Sequence, residues 1–293
     1  MDRKQLGSET AKSGFANERD VRDKFNQWQN DKDAQNWLQI MGYKLEELHS
    51  VTAIQIPAKI KKSTAEDYGV TAEKYEEFVT FKKADVQIKL FIQIAGILKI
   101  ENISLKKAKS EADFNQIDKR SVTNYQTIWK FDDEIAFWLK LFSGETLVNP
   151  NLQLPSGEKI SQKYPNFINQ SLRDNRRIFI NEMPSEIQQK ILSFFEYNKI
   201  IVIADILKGR GGLSADWILV TKLNINNSTT WTLVDINTAM NFYGSGSVKV
   251  SPQGSLYIGK IFLQRKGGTP DPTKLQFKFK PCDLFNLTNN DNQ

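Results

Sequence analysis

The sequence predicts an α/β protein, on three observations. A first stretch with helical spacing, Ser13 to Met41, gives way at Ser50 to alternating apolar and polar residues. Two β-branched runs, 84–94 and 97–106, flank Ala95-Gly96 in the manner of a hairpin. Further helical-period and strand-like segments then succeed one another to about residue 280.

Each element has its own local signal. In the first stretch Phe15, Val21, Phe25, Trp28, Trp37 and Leu38 recur at mostly helical spacings, so one or two helices are expected, with Ser13 as N-cap. SVTAIQIP, from Ser50, reads as a strand. Residues 59–77 are rich in lysine and glutamate and read as a solvated surface insertion with its own short helix. After the hairpin, residues 114–142 carry aromatic and aliphatic side chains at mixed spacings of three and four, which predicts helix packed across the sheet. Residues 144–175, rich in Asn, Pro, Ser and Gly, read as a surface excursion, with a second insertion at 149–170. A helix is expected over Ser185–Glu196, following Pro184. KIIVIADIL, 199–207, is apolar enough to be a helix or a buried strand. DWILVTK, TTWTLVDI, SLYIGKIFLQRK and KLQFKFK read as strands punctuated by GRGG, GSGS and KGG, and 286–293 as a disordered tail. The organisation expected is a single domain over 1–285.

Composition removes several function classes. The chain has 293 residues, 40% hydrophobic and 25% charged, and no apolar run near the roughly 20 residues of a membrane span. The N-terminal MDRKQLGSETAKSG lacks an apolar core, so a cytoplasmic compartment and no membrane partner are expected. Cys282 and His49 are the sole residues of their kinds, which excludes an internal disulfide and a Cys/His zinc site. Mechanisms needing two histidines fall with them, and His49 in LEELHSV reads as a solvated helix end. Neither a GxxxxGK[ST] loop nor a GxGxxG turn is present, which argues against nucleotide-driven chemistry. A net charge of +6 fits a polyanionic partner. Only nine of the 40 basic residues are arginines, and Arg120, Arg210 and Arg265 stand out as candidates for planar, two-pronged hydrogen bonding.

What remains is chemistry run by carboxylates, lysine and a hard cation. Asp85 precedes an alternating strand, and Ser104-Leu105-Lys106 follows 19 residues later at the far end of the next. Residues 104 and 106 share one face of a strand, and a hairpin returning at 95–96 brings Lys106 to the level of Asp85. A carboxylate there can hold Mg²⁺ while the lysine steadies a hydroxide and the charge developing on phosphorus. Glu18, on the first helix, is a candidate further ligand; a solvated charge beside Arg19 and Arg22 is the equal alternative.

The chain resembles the HinP-type restriction endonucleases, which cut GCGC and are MspI-like members of the PD-(D/E)XK superfamily. The resemblance is carried by SETAKSGFANERDVRDKFNQW (8–28), FNQIDKRSVTNYQTIWKFDD (114–133), DILKGRGG (205–212), YGSGSVKVSPQGSLYIGK (243–260), and FLQRKGG followed by LQFKFKP (262–281). It implies a central mixed β-sheet flanked by helices with the catalytic centre on the hairpin. The family aspartate falls on Asp85 and its lysine on Lys106. The residue before the aspartate, serine or threonine in the relatives, is Ala84, and the intermediate position, acidic in most of the superfamily and an amide in close relatives, is Ser104. Serine is a weaker metal ligand, which shifts coordination toward the Leu105 carbonyl and Glu18. The function implied is a Mg²⁺-dependent type II endonuclease acting on double-stranded DNA at a short GC-rich palindrome, GCGC, in a bacterial cytoplasm. A cognate cytosine methyltransferase is expected in the same system, and the enzyme is expected to act as a monomer or weak dimer. The alternative is a sequence-specific DNA-binding protein whose nuclease site has decayed through Ser104.

Reading G·C pairs requires donors for guanine O6 and N7 and acceptors for cytosine N4. Asn115, Gln116, Lys119 and Arg120 offer both kinds, placed at the start of a helix; the alternative is capping by Asn115 and solvated charges. Arg210, between glycines, either approaches DNA closely or decorates a turn. Gln264, Arg265 and Lys266, where a strand enters a glycine turn, suit DNA phosphates. The tryptophans are expected in the core.

Overall fold

The structure is a computed structural model that describes residues 3–57, 59–92, 96–108, 110, 112–171, 178–224, 226, 228–265 and 273–289. Its strands are β1 (Leu48–Gln55), β2 (Val86–Ile92), β3 (Ile97–Ala108), β4 (Asn115–Arg120), β5 (Trp217–Leu223), β6 (Thr229–Asp235), β7 (Val248–Val250), β8 (Leu256–Ile258), β9 (Ile261–Arg265) and β10 (Leu275–Phe279). The α-helices are α1 (Arg3–Asn26), α2 (Lys32–Ile40), α3 (Tyr75–Phe81), α4 (Val122–Trp129), α5 (Asp133–Ser143), α6 (Ile160–Lys163), α7 (Pro165–Ser171), α8 (Ser185–Tyr197), α9 (Lys199–Leu207), α10 (Ile236–Gly244) and α11 (Phe285–Asn289). The chain forms two compact units, one from 1–115, 207–241 and 280–293, the other from 116–206 and 242–279.

The first unit is built on a mixed sheet of order β1-β2-β3-β5-β6. Neighbours are antiparallel except β3 and β5, whose parallel pairing runs from Ile103–Trp217 to Ala108–Lys222. Along β2, Val86, Ile88 and Leu90 are fully buried, the period-2 signature of a covered face. That face meets Val21 and Phe25 of α1 and Ala34, Trp37 and Leu38 of α2. Each such large side chain contributes roughly 1.5–3 kcal/mol by leaving water. The β2–β3 hairpin is as expected, with Gly96 in the left-handed region at φ 58°. Ala95 lies outside the described residues.

Helix α2 shows how local sequence sets its ends. Asp31 caps it by accepting from the Ala34 N–H at 2.9 Å. At the other end Gly42 adopts φ 88°, its N–H reaches the Gln39 carbonyl, and the Tyr43 N–H reaches that of Leu38, a Schellman closure. Helix α1 does not begin at Ser13: it starts at Arg3, and the Ser13 hydroxyl accepts from Lys107 Nζ at 3.0 Å instead of capping. His49 belongs to β1, not to a helix end.

The second unit carries a sheet of order β4-β10-β9-β8-β7. Its core stacks Tyr125 on Trp129 at 4.7 Å, with Phe277 edge-on to both. Residues 199–207 resolve as helix α9, burying Val202, Ile203, Ile206 and Leu207.

Four further expectations are corrected. Residues 115–120 are a strand, and helix begins only at Val122 behind its cap Ser121; pairing in the sheet outweighs the weak helical spacing. The 59–77 stretch is not merely solvated, because Ile60, Ala65 and Val70 bury against Ile56, Ala84 and Leu213, apolar anchors diluted among charges in the sequence. The 149–170 stretch likewise folds inward, with Leu154, Ile160, Phe167 and Ile168 buried and Phe167 packed on Trp138. Helix α11 occupies 285–289, where a disordered tail was expected to start; residues 290–293 are outside the described range.

Candidate active site

Asp85 sits one residue before β2 and is held by its own backbone. Its N–H donates to the Ile103 carbonyl at 2.8 Å, and its carbonyl accepts from the Ile56 N–H at 2.9 Å. Pairing between β2 and β3 ends at Val86–Ile103, so the next inward-facing N–H on β3, that of Leu105, meets no β2 carbonyl. Asp85 Oδ2 takes that N–H at 2.7 Å and the Ser104 hydroxyl at 3.3 Å. Lys106 Nζ donates to Ser104 Oγ and the Leu105 carbonyl, both at 2.9 Å, and stands 3.6 Å from Asp85 Oδ2. Asp85, Ser104, Leu105 and Lys106 thus converge as the hairpin geometry requires.

Glu18 reaches the same place from α1, whose register is pinned by polar clamps on the sheet. Asn26 makes a two-way bond with the Ala53 backbone, and Asn17 accepts from Thr221 Oγ1 at 2.9 Å. Glu18 Oε2 then accepts from Gln55 Nε2 at 2.6 Å, Gln55 being paired with Val86 beside Asp85. Burial holds the Glu18 carboxyl above its ordinary value; the Gln55 bond opposes this, the Asp85 charge adds to it, and Lys82 and Lys106 oppose it.

Lys82 was not singled out by sequence reasoning. In KKADV it is indistinguishable from Lys83, and only the fold turns it toward the carboxylates. Its ammonium donates to the Ala84 carbonyl at 3.0 Å. Burial depresses its pKa, against the attraction of Asp85 and Glu18.

The loop that presents these residues is buttressed by the glycine-rich turn after α9. The Leu213 carbonyl accepts the N–H groups of both Lys83 and Ala84 at 3.0 Å. Gly209 adopts φ 75°, and a side-chain carbon there would lie 2.0 Å from the Phe81 carbonyl oxygen. The neighbouring guanidinium of Arg210 lies over the Phe81 ring at 4.4 Å. Glycine is therefore needed at 209 for the chain's own close packing. Ala84 is fully buried in the Ile56–Leu213 cluster.

Successive positions of a strand face opposite sides, so Gln116 shares a side with Asp118 and Arg120, and Lys119 with Asn115; a helix would have grouped Gln116 with Lys119. Asn115 is engaged with the Lys107 carbonyl at 3.0 Å. Arg120 spends two donors on the buried Asp118, at 2.9 and 3.3 Å, and Asp118 also accepts from Tyr125. Gln264 and Arg265 end β9, the latter over the Phe179 ring at 5.1 Å. Lys266 lies outside the described residues.

The donor set at Asp85 is two carboxylates and two neutral oxygens, Ser104 Oγ and the Leu105 carbonyl. Hard oxygens of this kind fit Mg²⁺, which typically takes one or two carboxylates and keeps water and phosphate for its remaining positions. Among the described residues no group of three or more His, Cys, Asp and Glu side chains is placed to hold a metal.

A family model described as R.HinP1I restriction endonuclease matches residues 76–285, a span that contains Asp85, Ser104 and Lys106 and leaves out Glu18. The fold is similar to that of the restriction endonuclease MspI in a crystal structure with its cognate DNA, with a TM-score of 0.56 and 13% identity over 95% of this chain and 93% of that one. No curated protein matches the chain.

Proposed function

The chain belongs to the R.HinP1I restriction endonuclease family, and on that premise we propose that it hydrolyses phosphodiester bonds of double-stranded DNA at a short GC-rich palindrome, GCGC, with Mg²⁺. The observation that carries this reading is the convergence of Asp85, Ser104 and Lys106, with Glu18 and Lys82 around them.

Cleavage needs a water in line with the leaving 3′ oxygen and neutralisation of charge on the phosphate. Asp85 and Glu18, with Ser104 Oγ and the Leu105 carbonyl, would hold Mg²⁺, which when bound polarises the phosphate and makes a coordinated water more acidic. Lys106 holds the attacking water by a hydrogen bond and favours its hydroxide form through its charge. Lys82 has one of its three donors on Ala84, and the others are available to a phosphate oxygen. The attacking water gives its proton to solvent as the new phosphorus–oxygen bond forms, and the bond to the 3′ oxygen breaks, that oxygen leaving with a proton from solvent. Gln116, Lys119, Arg210, Gln264, Arg265 and Lys266 stay as candidates for DNA contact.

Incubating plasmid DNA with the protein and Mg²⁺ tests the proposal. Discrete fragments are expected, absent with Asp85→Ala and Lys106→Ala, and sequencing their ends reads the target and the overhang. A specific mobility shift with no cutting by the unsubstituted chain would favour the DNA-binding alternative, which Ser104 in place of an acid or amide motivates.

A further inference from the structure

Three glutamines line up across adjacent strands of the second sheet. Gln276 on β10 stands directly opposite Gln264 on β9, and β10 is flanked on its other side by β4, which carries Gln116. Gln264 Nε2 donates to Gln276 Oε1 at 3.3 Å, and Gln276 Nε2 donates to Gln116 Oε1 at 2.6 Å. Gln276 is buried, whereas Gln116 is exposed. The three amides form one directed chain. Among the described residues its two ends are left with complementary groups, the NH₂ of Gln116 and the carbonyl oxygen of Gln264.

We infer that Gln276 is a specificity-positioning residue that couples Gln116 and Gln264 so that one presents a donor while the other presents an acceptor, the pattern a G·C pair requires. Guanine offers O6 and N7 as acceptors in the major groove and cytosine offers its N4 donor. An amide turns end for end at little cost in water, so two isolated glutamines present either group. Linked through Gln276 they are no longer independent. Reversing the chain exchanges the ends but preserves one donor and one acceptor. The inference rests on the DNA-cutting reading for its ligand and on this hydrogen-bond chain for its logic.

Glutamate at 276 has the same shape and only accepts, so Gln276→Glu draws an N–H from both neighbours and leaves two outward-facing acceptors. Gln276→Met cuts the link and frees both amides. The probe is a pool of duplexes with a randomised core, bound in EDTA and sequenced, alongside cleavage in Mg²⁺. For the unsubstituted protein, enrichment of G·C positions is expected. In Gln276→Glu the guanine preference at one position of each half-site should fall about 10- to 100-fold, and in Gln276→Met by a smaller factor, with other positions kept. The added negative charge weakens binding to all sequences alike and cancels in the ratio, and melting curves of both variants report folding. An unchanged base profile in both variants overturns the coupling while leaving the nuclease intact. An altered profile without cleavage by any form overturns the nuclease and keeps the coupling. An unsubstituted protein that enriches no sequence overturns both.

Discussion

At the residue scale, the site balances two carboxylates against two lysines, and each lysine makes its own prediction. Lys106→Ala removes the group that holds the water, and single-turnover cleavage should slow about 10²–10³-fold, the size of effect seen when a preorganised electrostatic donor is deleted. Lys82→Met replaces a half-buried ammonium with an apolar chain of similar length, so the melting temperature should hold while cleavage slows about 10²-fold. A Lys82→Met variant that cuts at the unsubstituted rate would remove Lys82 from the mechanism. Sequence distinguished Asp85, Ser104 and Lys106 because strand alternation and hairpin return are local geometry. It could not distinguish Lys82 from Lys83, since which one turns inward is decided by Leu213 accepting both the 83 and 84 N–H groups from a segment about 130 residues away.

At the element scale, caps and turns decide where the functional residues come to rest. Burial alone would raise the Asp31 carboxyl; the Ala34 N–H and the Lys24 ammonium outweigh it and hold the group below its ordinary value. A depressed carboxylate stabilises the fold above its unfolded pKa and loses that contribution as pH falls through the folded value. Asp31→Ala should therefore cost about 1 kcal/mol at neutral pH, and the difference between the two denaturation midpoints should narrow on acidification below about pH 4. Gly209→Ala places a methyl group against the Phe81 carbonyl in a left-handed backbone, so the loop from 81 to 85 must shift. The expected cost is about 1–3 kcal/mol, with cleavage falling in the same variant; a thermal melt and a rate measurement made together check it. The strand at 115–120 is the element the sequence misled on, because FNQIDKR alternates too weakly to announce its pairing partner more than 150 residues away.

At the scale of the whole molecule, the +6 charge and the preponderance of lysine suit a partner bound largely through phosphates. Affinity for duplex DNA should fall linearly on a log-log plot against salt, with a slope of about 0.9 per phosphate neutralised. Binding that is flat from roughly 50 to 200 mM salt would contradict a phosphate-dominated interface. Among the described residues, no helix is long and apolar enough to cross a membrane.

The sequence by itself determined the α/β class, the hairpin and the Asp85–Lys106 pair, because these depend on period-2 alternation and on residues fewer than 25 positions apart. Counting one histidine and one cysteine also left carboxylate and lysine chemistry as the remaining choice. Only tertiary structure brought Glu18 and Gln55 to Asp85, turned Lys82 inward, buried the 59–77 segment behind Ala84, and laid Gln116, Gln276 and Gln264 in one line. Those contacts join segments far apart in the chain, and their partners are fixed by which strands pair and which faces are covered, information that no local window of sequence carries.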